Sequence, residues 1–304
     1  MDKIKTELEI LGFEDGDVDA TEVYKVADKL GFFPYSVMRV KNNKALADIV
    51  SDARVGEYIP KKYKTDAGYR ADAKRTGKKL LDNGLSRFNP EVAARLINFY
   101  TKEGETVLTP YGSFGVISII AGHLNRKGIV NELVPNYCKH IQSVVDGLNE
   151  KGSKGLFKKH YDVEVHCGNA NNMNYLDDNS IDCVITSPPF WTAEKYESVD
   201  GQLSDLDSYD KFIEEYDKCN KEIFRVMKPG GICVFVVNDL RIGGKFIRFS
   251  VDTEFSLQRA GFETWDIGIN FLYSTPGVIG ANKAWQDKRF IKAHEYFIVM
   301  KKPI

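Results

Sequence analysis

Nowhere does this chain of 304 residues approach the roughly 20 consecutive apolar residues needed to cross a bilayer. Its first residues, MDKIKTELEI, lack an apolar secretory core, so a cytoplasmic protein without a membrane partner is expected. An excess of one charge is missing too. Lys and Arg number 42 against 43 Asp and Glu, a formal net charge of -1, so any basic surface for nucleic acid must be local. Cysteine is scarce: Cys138, Cys167, Cys183, Cys219 and Cys233 form no C-x-x-C pair and read as reduced core residues, not a disulfide framework. The histidines (His123, His140, His160, His166 and His294) show no ligand spacing, and no metal site is expected. Internal repeats and low-complexity tracts are absent as well. What remains, at 43% hydrophobic and 28% charged, is an ordinary globular composition with enough length for a full core.

The character of the chain changes twice. Over residues 1–53, Val23, Val26, Ala27 and Leu30 recur at helical spacing, Gly31 breaks the run, and Val37 and Val40 follow on a second short segment. With Arg39, Lys41 and Lys44 this resembles a helix-turn-helix; a small helical cap with a solvated basic end fits the same pattern. Residues 54–82 read as a basic linker or helix. Between Arg54 and Arg87 ten Lys and Arg face four acids, with Tyr58, Tyr63 and Tyr69 interleaved. Such a stretch suits phosphate neutralisation and base stacking, or a merely solvated face.

From residue 83 to 304 strand and helix alternate. ETVLTP, KGIVNEL, YDVEVHCGNA, SIDCVITSPP, ICVFVVND, TWDIGINFLY and HEYFIVMKK read as strands. Between them GVISIIAGHL, PNYCKHIQSVVDGL, DSYDKFIEEYDKCNKEIFRVM and FIRFSVDTEFSLQRAGF read as helices. This alternation predicts an α/β fold, a doubly wound and largely parallel sheet that is complete within 83–304. Ligands in such sheets bind at the carboxyl ends of the strands.

Ser187-Pro188-Pro189-Phe190 falls just past the end of one of these strands. Two prolines fix φ and delete two donors, leaving carbonyls that only accept. A planar ligand with an NH2 group could give its protons to the Ser187 oxygen and the Pro188 carbonyl while Phe190 stacks on its face. An extruded nucleobase whose amine is to react is held in that way. Trp285, Arg289 and Lys292 form a second cluster that could lie near nucleic acid or be plain surface.

TSPPFW is similar to the fourth motif of the DNA amino-methyltransferases, which use S-adenosylmethionine to make N4-methylcytosine or N6-methyladenine. VLTPYGSFG resembles their cofactor loop, GIVNEL their second-strand motif, CGNANNM their third, and LSRFNPEVAARLINFY the helix before the cofactor loop. The likeness covers about residues 83–302 and implies a Rossmann-like methyltransferase sheet with a small helical N-terminal region. It implies S-adenosylmethionine as cofactor and DNA, through a flipped base or single strand, as partner. By position, Ser187, Pro188, Pro189 and Phe190 would be catalytic, the serine form leaning towards cytosine N4. Thr109, Tyr111, Gly112, Gly115, Glu132 and Asn169 would hold the cofactor, Glu132 accepting from the ribose hydroxyls.

Three positions depart from the family pattern. Thr109 stands where an aspartate commonly meets the cofactor ammonium, Ser113 replaces a glycine, and Phe114 sits where serine is usual. Losing a charge-assisted contact costs about 1.5–3 kcal/mol. Three readings therefore stay open: a DNA amino-methyltransferase, a methyltransferase-like DNA-binding or partner subunit without methyl transfer, and a base-modifying enzyme with an altered donor.

Overall fold

Short β-branched runs bounded by turn residues build one eight-stranded sheet in the computed structural model of the protein. The structure describes residues 36–40, 43–52, 88–154, 158–194, 196–272, 285–290 and 293–304. Its elements in chain order are β1 (Val37–Arg39), α1 (Lys44–Asp52), α2 (Pro90–Tyr100), β2 (Thr106–Thr109), α3 (Val116–His123), β3 (Lys127–Glu132) and α4 (Pro135–Lys154). Then come β4 (Val163–Cys167), β5 (Ile181–Thr186), α5 (Tyr209–Val226), β6 (Met227–Val237), β7 (Leu240–Ile242), β8 (Lys245–Ile247), α6 (Phe249–Ala260), β9 (Glu263–Phe271) and β10 (His294–Lys301).

The strand order is β1-β9-β10-β6-β5-β2-β3-β4. Ladders β2–β3, β3–β4, β2–β5 and β5–β6 are parallel, whereas β10 runs antiparallel to both β6 and β9. The chain winds outward from β2 in one direction through β3 and β4, then resumes on the other side with β5. The switch point thus lies between β2 and β5, where a crevice opens at the carboxyl edge. Helices cover both faces, as expected of a doubly wound Rossmann-like fold. One face buries Val107, Val130, Cys183, Ile185, Val234 and Val236 with residues of α2, α3 and α4. The other buries Leu108, Val184, Cys233 and Phe235 with Phe212, Tyr216, Ile223, Phe249 and Leu257 of α5 and α6.

Two elements differ from the sequence reading. Val37–Arg39, expected on the second helix of a helix-turn-helix, is a strand that pairs in parallel with Ile269–Phe271 of β9. The open edge of β9 offers these residues a ladder that local helical spacing cannot outweigh. With Val40 and Val50 buried in the first core, this segment joins the main sheet. The first helix of that motif and the basic residues 54–82 lie outside the described residues. Secondly, helix α6 begins only at Phe249, because residues 240–247 form a hairpin, β7 paired antiparallel with β8. Among the described residues no helix is long and apolar enough to cross a membrane.

Candidate active site at the carboxyl edge of the sheet

From Cys183 to Thr186 strand β5 is buried on both faces, and its end delivers the next four residues to the carboxyl edge. Ser187 is half-buried, Pro188 buried, and Pro189 and Phe190 half-buried. Phe190 packs its edge on the Phe249 ring, 5.8 Å between centroids, and also lines the cleft in front of β5. It therefore has one side in the core and one in the cleft. Trp191 takes a left-handed backbone (φ 44°), donates its indole N–H to the Leu206 carbonyl at 2.9 Å and tilts against Tyr209. That anchor fixes the exit of the Ser-Pro-Pro-Phe turn.

Across the switch point, the loop after β2 is fastened to the end of β3. Gly112 N–H donates to the Asn131 carbonyl (2.8 Å), and Ser113 N–H to Glu132 Oε2 (2.6 Å). Glu132 Oε1 accepts from Val134 N–H at 2.8 Å. Both carboxylate oxygens are thus engaged by backbone. Burial pushes the Glu132 carboxyl up to about 7, against the pull of the Val134, Ser113 and Leu133 N–H groups. The buried Asn131 amide donates to the Pro110 (3.3 Å) and Gly168 (3.0 Å) carbonyls, and its oxygen accepts from the Tyr175 hydroxyl (2.9 Å). It staples together the loops after β2 and β4. Sequence reasoning passed over Asn131, although it sits directly before the singled-out Glu132.

The departures in this loop have local explanations. Ser113 takes a left-handed φ of 47°, the conformation glycine would supply, with its N–H held by Glu132. Phe114 is buried, its ring 5.9 Å from Tyr137 and edge-on to His140 of α4, so it anchors the loop to that helix. Thr109 is 2% exposed, with its hydroxyl 3.2 Å from Ser118 Oγ, which donates to the Ile129 carbonyl.

Two hollows meet at this edge. The larger, about 570 Å³, brings together Thr109, Tyr111, Gly112 and Ser113 with Ser187 and Phe190. The smaller, about 50 Å³, is lined by Tyr111, Glu132, Asn169, Ser187 and Pro189 among others. Tyr111, Ser113, Ser187 and Tyr196 border both. Asn169 lies under Gly201, where an added Cβ would strike its amide nitrogen. Gly112 faces Val130 so closely that a side chain there would lift the loop off β3. Gly115 borders neither hollow; its left-handed backbone caps α3 and leaves room for Ile141. Pro188 is likewise absent from both linings.

Four polar residues of the larger cleft escaped the sequence reading. Asn270 Nδ2 donates to Glu295 Oε2 (3.0 Å), and the Tyr196 hydroxyl donates to Glu194 Oε2 (2.9 Å). Burial, with the Glu194 charge adding to it, raises the Glu295 carboxyl above the ordinary range, opposed by the Asn270 amide. Glu295 is the second residue of HEYFIVMKK, whose pattern predicts a strand alone; because β10 runs antiparallel, its first residues arrive at the edge where the parallel strands end. Trp285, by contrast, is 75% exposed with the Lys288 ammonium 4.3 Å above its ring, and Arg289 pairs with Asp287. Neither Trp285 nor Arg289 lines these hollows, and Lys292 lies outside the described residues.

Comparison with known proteins bears on the same region. Residues 181–303 match the DNA methylase (N6_N4_Mtase) family model. The type II methyltransferase M.SfiI of Streptomyces fimbriatus is 36% identical over 76 residues, 23% of this chain and 18% of that protein. The type II beta methyltransferase M.BslI of Bacillus sp. (strain NEB-606) is 28% identical over 144 residues, 42% of this chain and 15% of that protein. The matched stretches are thus less than a fifth of either relative. A SAM-dependent methyltransferase from Methanosarcina mazei has a similar structure, with a TM-score of 0.47 at 16% identity, over 69% of this chain and 97% of that one.

Proposed function

We propose that the chain, whose residues 181–303 match the DNA methylase (N6_N4_Mtase) family model, methylates the exocyclic amine of a DNA base with S-adenosylmethionine as donor, cytosine N4 ahead of adenine N6. The observation that carries this reading is the shared cleft: Ser187 and Phe190, from the end of β5, face the Thr109–Ser113 loop from the end of β2 across about 570 Å³.

The residues at the edge suit such a cofactor. Glu132 is a buried acid at the end of β3, placed to accept from a diol once its bond to Ser113 N–H opens. Asn169, Leu133 and Leu203 offer an amide and apolar walls for a purine. Tyr111 and Gly112 would flank the sugar and the chain beyond it, with Thr109 below and Gly115 setting the course of the loop into α3. Glu194 and Glu295 give the larger cleft a negative wall, the sign a cationic ligand calls for. When bound, S-adenosylmethionine supplies an electrophilic methyl group on a sulfonium.

The chain's own part is to hold the amine. Ser187 Oγ and the Pro188 carbonyl take its two hydrogens, which turns the nitrogen from planar towards tetrahedral and frees its lone pair. Pro189 keeps the turn rigid, and Phe190 lies against a base swung out of the duplex. Alignment of a poor nucleophile with the methyl group supplies most of the acceleration, so no separate base is required before attack. Mass analysis of nucleosides from cells expressing the protein should find N4-methylcytosine; N6-methyladenine would correct the base, and neither would sink the assignment.

A second reading, a partner subunit without methyl transfer, has its own supporting observation. Both Glu132 oxygens already hold backbone N–H groups, and Gly201 closes on Asn169 beside a hollow of only about 50 Å³. Calorimetry separates the two: micromolar binding of S-adenosylmethionine selects the enzyme, and no binding selects the subunit.

A further inference from the structure

The hairpin that replaces the expected start of α6 is amphipathic in a specific way. Its sequence, LRIGGKFIR, alternates apolar and basic residues around Gly243 and Gly244, whose φ values of 57° and 82° meet the need of a tight two-residue turn. Leu240 pairs with Ile247, Arg241 with Phe246, and Ile242 with Lys245. With a side-chain period of two, Leu240, Ile242 and Ile247 share one face, and that face packs on the second core. Arg241 and Phe246 stand on the other, and Arg248 follows the end of β8 directly, at the start of α6. All three are exposed. The Arg241 guanidinium lies 5.4 Å from the centre of the Phe246 ring and donates to the Gly244 carbonyl at 3.0 Å. Phe246 is 49% exposed, unusual for phenylalanine on a strand with an apolar core at its back.

Charge and position point the same way. Between residues 239 and 248 stand Arg241, Lys245 and Arg248. The acid of that stretch, Asp239, turns inward to accept from the Ser250 N–H and hydroxyl at the start of α6. The outer face therefore presents Arg241 against an exposed aromatic ring, with Arg248 exposed just beyond the strand. It is also beside the chemistry: β7 packs on the turn Trp191–Ala193 that follows Phe190, and β6, which feeds the hairpin, lines the cleft through Val236.

We propose that the outer face of the β7–β8 hairpin is a duplex-DNA contact that seats the backbone next to the cleft. Arg241 and Arg248 bind phosphates, and Phe246 packs on a deoxyribose beside Arg241. Arginine is suited to this task because its planar fork pairs with phosphate while its face rests on a ring. The choice of DNA rests on the methyltransferase reading above; the amphipathic hairpin does not.

The test is anisotropy titration of a labelled duplex with the full chain across a range of salt. Arg241→Ala/Arg248→Ala should weaken binding at least tenfold at low salt and lower the slope of log affinity against log salt by about two, near 0.9 per phosphate lost. Arg241→Lys/Arg248→Lys should restore the slope. Phe246→Ala should weaken binding severalfold at an unchanged slope, which no loss of charge would do. Lys102→Ala/Lys158→Ala, which removes two exposed cations at the amino edge of the sheet, is the matched control and should leave the slope alone. Wild-type affinity and slope in the arginine double variant would overturn the hairpin contact while leaving the methyltransferase reading in place. A wild-type chain without salt-dependent binding to duplex would overturn both.

Discussion

Ser187 and Phe190 leave the same turn with different attachments, and their substitutions should separate accordingly. Ser187 borders both hollows, so Ser187→Ala should abolish base modification while unfolding at the wild-type temperature and binding cofactor as before. Phe190→Ala should also abolish modification, and the lost edge contact with Phe249 should cost about 1 kcal/mol of stability in denaturant titration. Glu132 carries a pH signature. Its folded value, about 7, lies above the ordinary 4.5, so the folded chain keeps a proton that the unfolded chain has released. The stability this proton contributes is full below about pH 4.5 and is lost as pH rises towards 7, on the order of 3 kcal/mol in all. Glu132→Gln removes that titration. Its melting temperature should fall less between about pH 5 and pH 7 than the wild type's; parallel curves would show that the carboxyl is already charged at pH 5.

Among the elements, α3 and β3 are locked together by a glycine in the strand. A Cβ on Gly128 would run into the Ser118 carbonyl within helix α3, and neither backbone can yield without moving the loop that leads into α3. Gly128→Ala should cost more than about 2 kcal/mol in chemical denaturation and weaken cofactor binding with it. An unchanged midpoint would mean that the helix is free to slide. The β7–β8 hairpin is the converse case. Its packing rests on Leu240, Ile242 and Ile247 of the inner face, so its outer residues are open to change without loss of fold.

For the molecule as a whole, the strand at the far edge decides how much chain the sheet needs. Residues 83–304 were expected to form a complete sheet. Instead β1 covers the edge of β9, and Val40 and Val50, which precede that boundary, are buried in the first core. Val40 also lines the cleft. A fragment of residues 83–304 should therefore be about 2–4 kcal/mol less stable than one of residues 36–304, the worth of two buried valines and a short ladder. Equal melting temperatures for the two fragments would count against β1 as a structural strand.

The sequence alone determined the alternation of strand and helix from Pro90 onwards, because side-chain period and turn residues are local properties of the chain. It also placed Ser187–Phe190 at a strand's carboxyl end, since two prolines after a β-branched run stop the ladder there. Only the tertiary structure decided which distant residues meet. Glu295 and Ser187 share a cleft because β10 reverses direction two strands from β5, a pairing no local pattern encodes. The bond from Ser113 to Glu132 depends on the parallel register of β2 and β3. The strand at Val37–Arg39 and the hairpin strand at Lys245–Ile247, where local spacing predicts helix from Phe246, escape the sequence for the same reason. Each is a short segment whose conformation is set by the surface it lands on, an open sheet edge in one case and an apolar core in the other.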